Sequence, residues 1–338
     1  MKDGVTTRSG RASRGRGSAP PPKRTLKAWL HRRESEETHS EVVLAIQRAT
    51  ALLRGGVAAN RVWRVLGNED GAPVELARVA QLLGQGVPSA RALAEGGGGS
   101  PEWRVLAATW HLAESSGAPI AAALDRLADA LVALDRLGAR RQVLLAGPRA
   151  TIRLVAALPF AALLMASLLG FDPVAVLLSP LGLMLAVLGG VLLLIGVVWA
   201  RRLTERLAAA EWVSGLECEL CWVALCGGCT PSEALLRVAD AVDEFGADWV
   251  RLSALRRDRA ASQVMRSAQH LGTSVGDMLL TEAAASRARA HNELEREAER
   301  LAVRVLLPIG ICVLPSFIVL GVLPVLFSVV GALGPLGG

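Results

Sequence analysis

Apolar residues fill positions 154–200, and the chain from Val305 onward, almost without interruption: neither stretch holds a Lys or Arg, and Asp172 is the only charge. Elsewhere apolar residues recur every three or four places among Ala, Arg and Glu, as in Leu44, Ile46, Ala49, Leu52 and Leu53. A bilayer core takes about 20 apolar residues per helix and penalises a central charge by roughly 2.5–3.5 kcal/mol. The uninterrupted runs therefore predict spans, and the three-and-four period predicts amphipathic helices bundled in water. The run 154–200 is too long for one span. It breaks at Gly170-Phe171-Asp172-Pro173, with Pro180 beyond, which predicts a hairpin of spans near 154–171 and 178–200. A third span is expected near 305–331, kinked at Pro308, Pro315 and Pro324. A re-entrant hairpin broken at Pro315 or Pro324 is the alternative.

No alternating strand pattern of useful length occurs. The expected fold is all-α: a polytopic membrane protein with two repeated cytoplasmic helical-bundle domains and about three transmembrane helices. The boundaries expected are a disordered basic tail over 1–37, a first helical domain over 38–150 and a transmembrane hairpin over 151–202. A second helical domain over 203–303, a span over 304–331 and a short tail over 332–338 complete the chain.

One short signature recurs five times: a helix ending in Gly, a turn, and a new helix with an apolar residue seven places on. It runs Gly56 to Trp63, Gly86 to Leu93, Gly117 to Leu124, Gly228 to Leu235 and Gly272 to Leu279. Glycine suits the left-handed end of a helix, while Ser, Thr and Pro suit the start of the next. Thr230-Pro231 and Thr273-Ser274 fit that use. The larger order is duplicated as well. Leu53-Arg54-Gly55-Gly56 answers Leu225-Cys226-Gly227-Gly228 at an offset of 172, and Gly117 answers Gly272 at 155. Leu158-Pro159-Phe160 answers Leu314-Pro315-Ser316-Phe317. The second copy is about 17 residues shorter, as if it lacked one turn and the Gly96–Gly99 loop.

Charge then orients the spans. Arg149 and Arg153 stand before the hairpin, Arg201, Arg202 and Arg206 after it, and Arg300 and Arg304 before the third span. Basic residues collect on the cytoplasmic side, so both helical domains are expected there, with the hairpin turn and the C-terminus outside. Trp199 fits an interfacial anchor, and Gly182, Gly189, Gly190 and Gly196 are expected to let helices approach closely. Residues 1–33 carry ten basic residues and no apolar core of a signal peptide. They read as a basic tail drawn to anionic lipid, or as the product of a start codon placed too early. The net charge of +6 follows from this topology and from no basic–aromatic strip, which argues against nucleic acid as a partner.

Candidate chemistry is thin. Lys occurs only at 2, 23 and 27, which excludes a GK[ST] phosphate loop from the folded region. Cys218, Cys221, Cys226 and Cys229 form two C-x-x-C pairs that could hold zinc, but Cys218, Cys221 and Cys229 fall where the first copy has Ile46, Ala49 and Val57, so packing is the preferred reading. Cys312 is expected to pack within a span. Gly272-Thr-Ser-Val-Gly276 matches G-x-S-x-G, yet Ser274 reads as a helix cap. His31, His39, His111, His270 and His291 are scattered, and Asp172 reads as a turn residue. Glu293, Glu295, Glu297 and Glu299 read as a solvated helix face. No catalytic, cofactor-binding or metal-binding residue is expected, and no cofactor.

Taken in order, these segments resemble the type II secretion F family, the inner-membrane platform proteins of type II secretion and of type IV and tight-adherence (Tad) pili. The resemblance rests on Leu52-Leu53-Arg54-Gly55-Gly56, on Gly86 through Leu93, and on Ala113-Glu114-Ser115-Ser116-Gly117 through Ala128. Ala224 through Leu235 supplies the second copy. It departs where Gln269-His270-Leu271 replaces the Glu-Ser-Ser of 114–116. The resemblance implies a non-enzymatic protein of the cytoplasmic membrane. Its implied partners are a cytoplasmic secretion ATPase, pilin or pseudopilin subunits, other platform subunits and the bilayer. A transporter or channel is the alternative, and a membrane peptidase a more distant one.

Overall fold

The computed structural model describes residues 40–170, 178–208, 213–250, 252–255 and 260–327. The basic tail with His31 and His39, the turn at Phe171, Asp172 and Pro173, and the final tail lie outside them. Within them every regular element is a helix: α1 (40–54), α2 (Ala59–Gly67), α3 (Val74–Gly84), α4 (Ser89–Gly96), α5 (Pro101–Ser116) and α6 (Ile120–Leu168). After the hairpin turn come α7 (Pro180–Ala208), α8 (Leu216–Cys226), α9 (Pro231–Phe245), a 3₁₀ turn (Leu252–Leu255) and α10 (Ala260–Leu271). The last helix, α11, runs Val275–Phe327.

The recurring glycines end helices as their chemistry requires. Gly56, Gly86, Gly117, Gly228 and Gly272 all have φ between +67° and +89°, a conformation costing an L-residue roughly 1–2 kcal/mol. At Gly56 the next amide, that of Val57, returns to Leu52 O at 2.9 Å while Gly56 N reaches Leu53 O at 3.1 Å, which satisfies carbonyls the helix leaves open. The same pair of bonds recurs at Gly86 and Gly228. Gly246 closes α9 in the same way, though no apolar residue stands seven places beyond it. On the far side of two turns, Thr230 accepts from Glu233 N at 3.4 Å and Ser274 from Asp277 N at 3.3 Å. Ser274 is a helix cap.

Both copies share one hydrophobic core. It runs from Val42 and Ile46 through Trp63, Trp103, Trp110 and Leu131 to Leu216, Val223, Val238 and Ala283 without a gap. Helix α5 of the first copy lies against α8 and α9 of the second. The approach is close: a Cβ on Gly227 would stand 2.4 Å from Ser116 O. Polar groups border this contact. Arg237 donates to Ser115 O at 3.3 Å, and Arg104 reaches Gly246 O at 3.5 Å and Asp248 at 3.8 Å.

Three helices are long and apolar enough to cross a membrane: α6, α7 and α11. The first and third do not begin at the lipid. α6 is 49 residues, about 70 Å, and passes from the core through Pro148 and Pro159 to the hairpin turn at Gly170. α11 likewise starts in the core and continues through Pro308 and Pro315, with π-helical turns over Ile309–Val313 and Ile318–Val322. Proline removes an amide and crowds the carbonyl four residues back, and a widened turn absorbs that without a break. Inside the apolar bundle, a Cβ on Gly189 would meet Leu320 at 2.5 Å and one on Gly196 would meet Cys312 at 2.8 Å. Gly190, expected to pack likewise, faces open space. Ser316, fully buried, donates to Gly189 O at 2.7 Å. Leu154, Phe160, Leu164, Met184, Leu194 and Leu314 are exposed, the outward apolar coat a bilayer covers.

Candidate functional site

The site built by the two copies together is the seam between α6 and α11. The helices run parallel. Arg140 of α6 meets Glu295 of α11 at 2.8 Å, Leu145 and Ile152 share a small core with Leu301 and Val305, and Ala162 comes up to Gly321. Ala200 of α7 joins that core at the end of its span. The seam thus begins in the shared core and ends among the apolar helices.

Glu295 differs from its acidic neighbours in being paired. Glu293, Glu297 and Glu299 are exposed, whereas Glu295 accepts from Nε and Nη2 of Arg140 at 3.3 and 2.8 Å. That bond holds its carboxyl below the ordinary range. His291 lies one turn back at 3.6 Å from the same carboxylate.

A second ion pair fastens α11 to α8. Arg287 donates to Glu219 Oε1 at 2.7 Å, and the Glu219 side chain is 3% exposed. Its Oε2 is buried with no hydrogen-bond partner. Burial raises the Glu219 pKa despite the opposing pull of Arg287 and, more weakly, of Arg126. Arg126 itself sits over the Trp222 ring, 5.5 Å from its centroid. Neither Glu219 nor Arg287 belongs to a site expected from the sequence. The signal for it lies in Leu216, Glu219, Leu220 and Val223, where a carboxylate occupies the apolar face of its own helix.

Between these two pairs lies a cleft of about 200 Å³. Ala130, Ala133 and Leu134 of α6 face Arg287, Ala290 and His291 of α11 across it, and Val213 and Ser214 line it as well. Arg136 lies at its rim.

The cysteines do not converge. Cys218 and Cys221 are buried in the common core, Cys229 is half-buried and Cys226 is exposed, all as free thiols. Burial, reinforced by Glu217, pushes Cys218 up to about 12, and burial drives Cys221 well above the ordinary thiol value. Among the described residues no three His, Cys, Asp or Glu side chains are grouped to hold a metal ion. Cys312 packs against Gly196, as expected. His111 lies at the border of the two copies, 3.9 Å from Glu244, with its ring 5.3 Å from Phe245. His270 is exposed in the last turn of α10.

Comparison with known proteins adds one finding. Residues 45–168 match the family model described as type II secretion system (T2SS), protein F. The match begins within α1 and ends with α6, so it covers the first copy together with its helix into the apolar bundle. No curated protein matches the chain.

Proposed function

Because residues 45–168 match the family model of the type II secretion system, protein F, we propose that this chain is an inner-membrane platform protein of a secretion or pilus-assembly machine, without catalytic activity of its own. In that role it couples a cytoplasmic secretion ATPase to the assembly or export of pilin-like subunits. A specific system of the Tad type accords with the compact, Ala- and Arg-rich chain.

One structural observation supports the mechanism above the rest. α6 and α11 each pass unbroken from the shared core into the apolar bundle, so a push on the core reaches the spans through two parallel helices. A close-packed interior transmits displacement rather than absorbing it. The two copies share that core and move as one body. Arg149, Arg153, Arg201, Arg202, Arg300 and Arg304 at the inner ends of the spans support a cytoplasmic core and an external hairpin turn. The C-terminus is then external.

The test reconstitutes the full chain in lipid nanodiscs and adds a purified secretion ATPase. Saturable binding and a change in ATP turnover are expected, with both lost when the nanodisc carries an unrelated three-span protein. Absence of binding by the folded chain would refute the proposal.

A further inference from the structure

At Arg140 and Glu295 the seam is electrostatically complementary. One turn nearer the N-terminus of each helix, no carboxylate among the described lining residues stands opposite Arg136. The residues there are Arg136 and His291, again 155 positions apart, and both line the cleft between α6 and α11. Arg287 lines it too, so three basic side chains and no carboxylate are found among its described lining residues. Arg136 is exposed and makes no ion pair among the described residues.

The space has a simple origin. The two helices turn Ala130, Ala133 and Ala290 toward it, side chains too short to fill the gap between parallel helices. Its lining is therefore mostly apolar, with the Arg136 guanidinium, the His291 ring and Ser214 as further lining groups and Arg287 engaged with Glu219. From His291 to Arg304 the helix advances about 20 Å, so the headgroups of the bilayer stay out of reach. What enters comes from water.

We propose that this cleft binds a small organic anion, one phosphate or carboxylate on a compact apolar body. The anionic group sits between Arg136 and His291, where the planar guanidinium gives charge-assisted hydrogen bonds and the imidazole N–H donates one more. The body lies against the alanines. Bound there, the anion bridges equivalent positions of the two copies and fastens α6 to α11. This site is independent of the role proposed above.

The probe is phenyl phosphate, titrated calorimetrically into the full chain in phosphatidylcholine nanodiscs, with inorganic phosphate and phenol as controls. Saturable binding of phenyl phosphate is expected, tighter than that of inorganic phosphate, with none for phenol. Arg136→Gln should weaken it about tenfold by removing a charge-assisted contact. Ala290→Leu should abolish it with every charge in place. Because Arg136 is exposed, its replacement keeps the test open where Ala290→Leu fails to fold. Absence of saturable binding at millimolar phenyl phosphate overturns the proposal. So does equal affinity for inorganic phosphate, or binding unaffected by Arg136→Gln.

Discussion

Arg140 and Glu295, joined at 2.8 Å, stand 155 residues apart, the same offset that carries Gly117 onto Gly272. The ion pair therefore links equivalent positions of the two copies. Helices α6 and α11 are one element used twice, set side by side and in register.

That pair is exposed to solvent on both sides, so breaking it costs little and reversing it is informative. Arg140→Glu should lower the thermal midpoint slightly, and adding Glu295→Arg should restore it. Failure of the second change to rescue the first would show that the contact does not set the register.

Arg287→Ala should be far more harmful. It leaves the Glu219 carboxylate buried without its partner, a loss of about 3–5 kcal/mol, read by denaturant unfolding in detergent. A variant as stable as the parent would show that Glu219 reaches water.

Glu219→Gln carries a pH signature. Burial raises the folded pKa above the ordinary 4.5, so the folded chain keeps a proton that the unfolded chain has released. The stability tied to this proton is full below about pH 4.5 and falls as pH rises through the folded value. The parent should thus lose stability relative to Glu219→Gln as pH rises from 4.5 toward neutrality. The opposite slope would mean that Arg287 dominates.

Thiol labelling separates the cysteines. Cys226 should react with a water-soluble maleimide at once and Cys229 slowly. Cys218 and Cys221 should react only on unfolding, since burial holds the Cys218 thiol at about 12 and drives Cys221 well above the ordinary thiol value, leaving almost no thiolate at neutral pH. Protection of all four by zinc would establish a metal site after all.

Glycines of different use should answer differently. Gly56→Ala strains a positive φ, for about 1–2 kcal/mol. Gly227→Ala drives a methyl into Ser116 and should cost about 1–3 kcal/mol. In the apolar bundle, Gly196→Leu should disrupt helix packing while Gly190→Leu, facing open space, is tolerated. Equal effects of the last two would contradict the packing described.

Much of this architecture is legible in the residues because its causes are local. Uncharged runs locate the apolar helices, and Gly56, Gly86, Gly117, Gly228 and Gly272 mark turns because each helix end needs a left-handed residue. The features that escape are set by tertiary contact. The shared core is invisible because an apolar face does not name its partner. Glu295 looks like its solvated neighbours until Arg140 comes from 155 positions away. Glu219 is buried by α11, and only its place among leucines hints at that. Gly246 ends a helix like the others, but the next element is the short 3₁₀ turn rather than an amphipathic helix.

The most direct measurement is site-directed crosslinking across the seam in intact membranes. A chain whose native cysteines are replaced by Ala or Ser carries Arg140→Cys with either Glu295→Cys or Glu293→Cys, and a short bis-maleimide is added. Intramolecular crosslinking at 140 and 295, with little at 140 and 293 on the opposite face, is the outcome that two in-register helices require. Equal yields from both pairs, or none from the first, would mean that α6 and α11 do not run together from the core to the membrane.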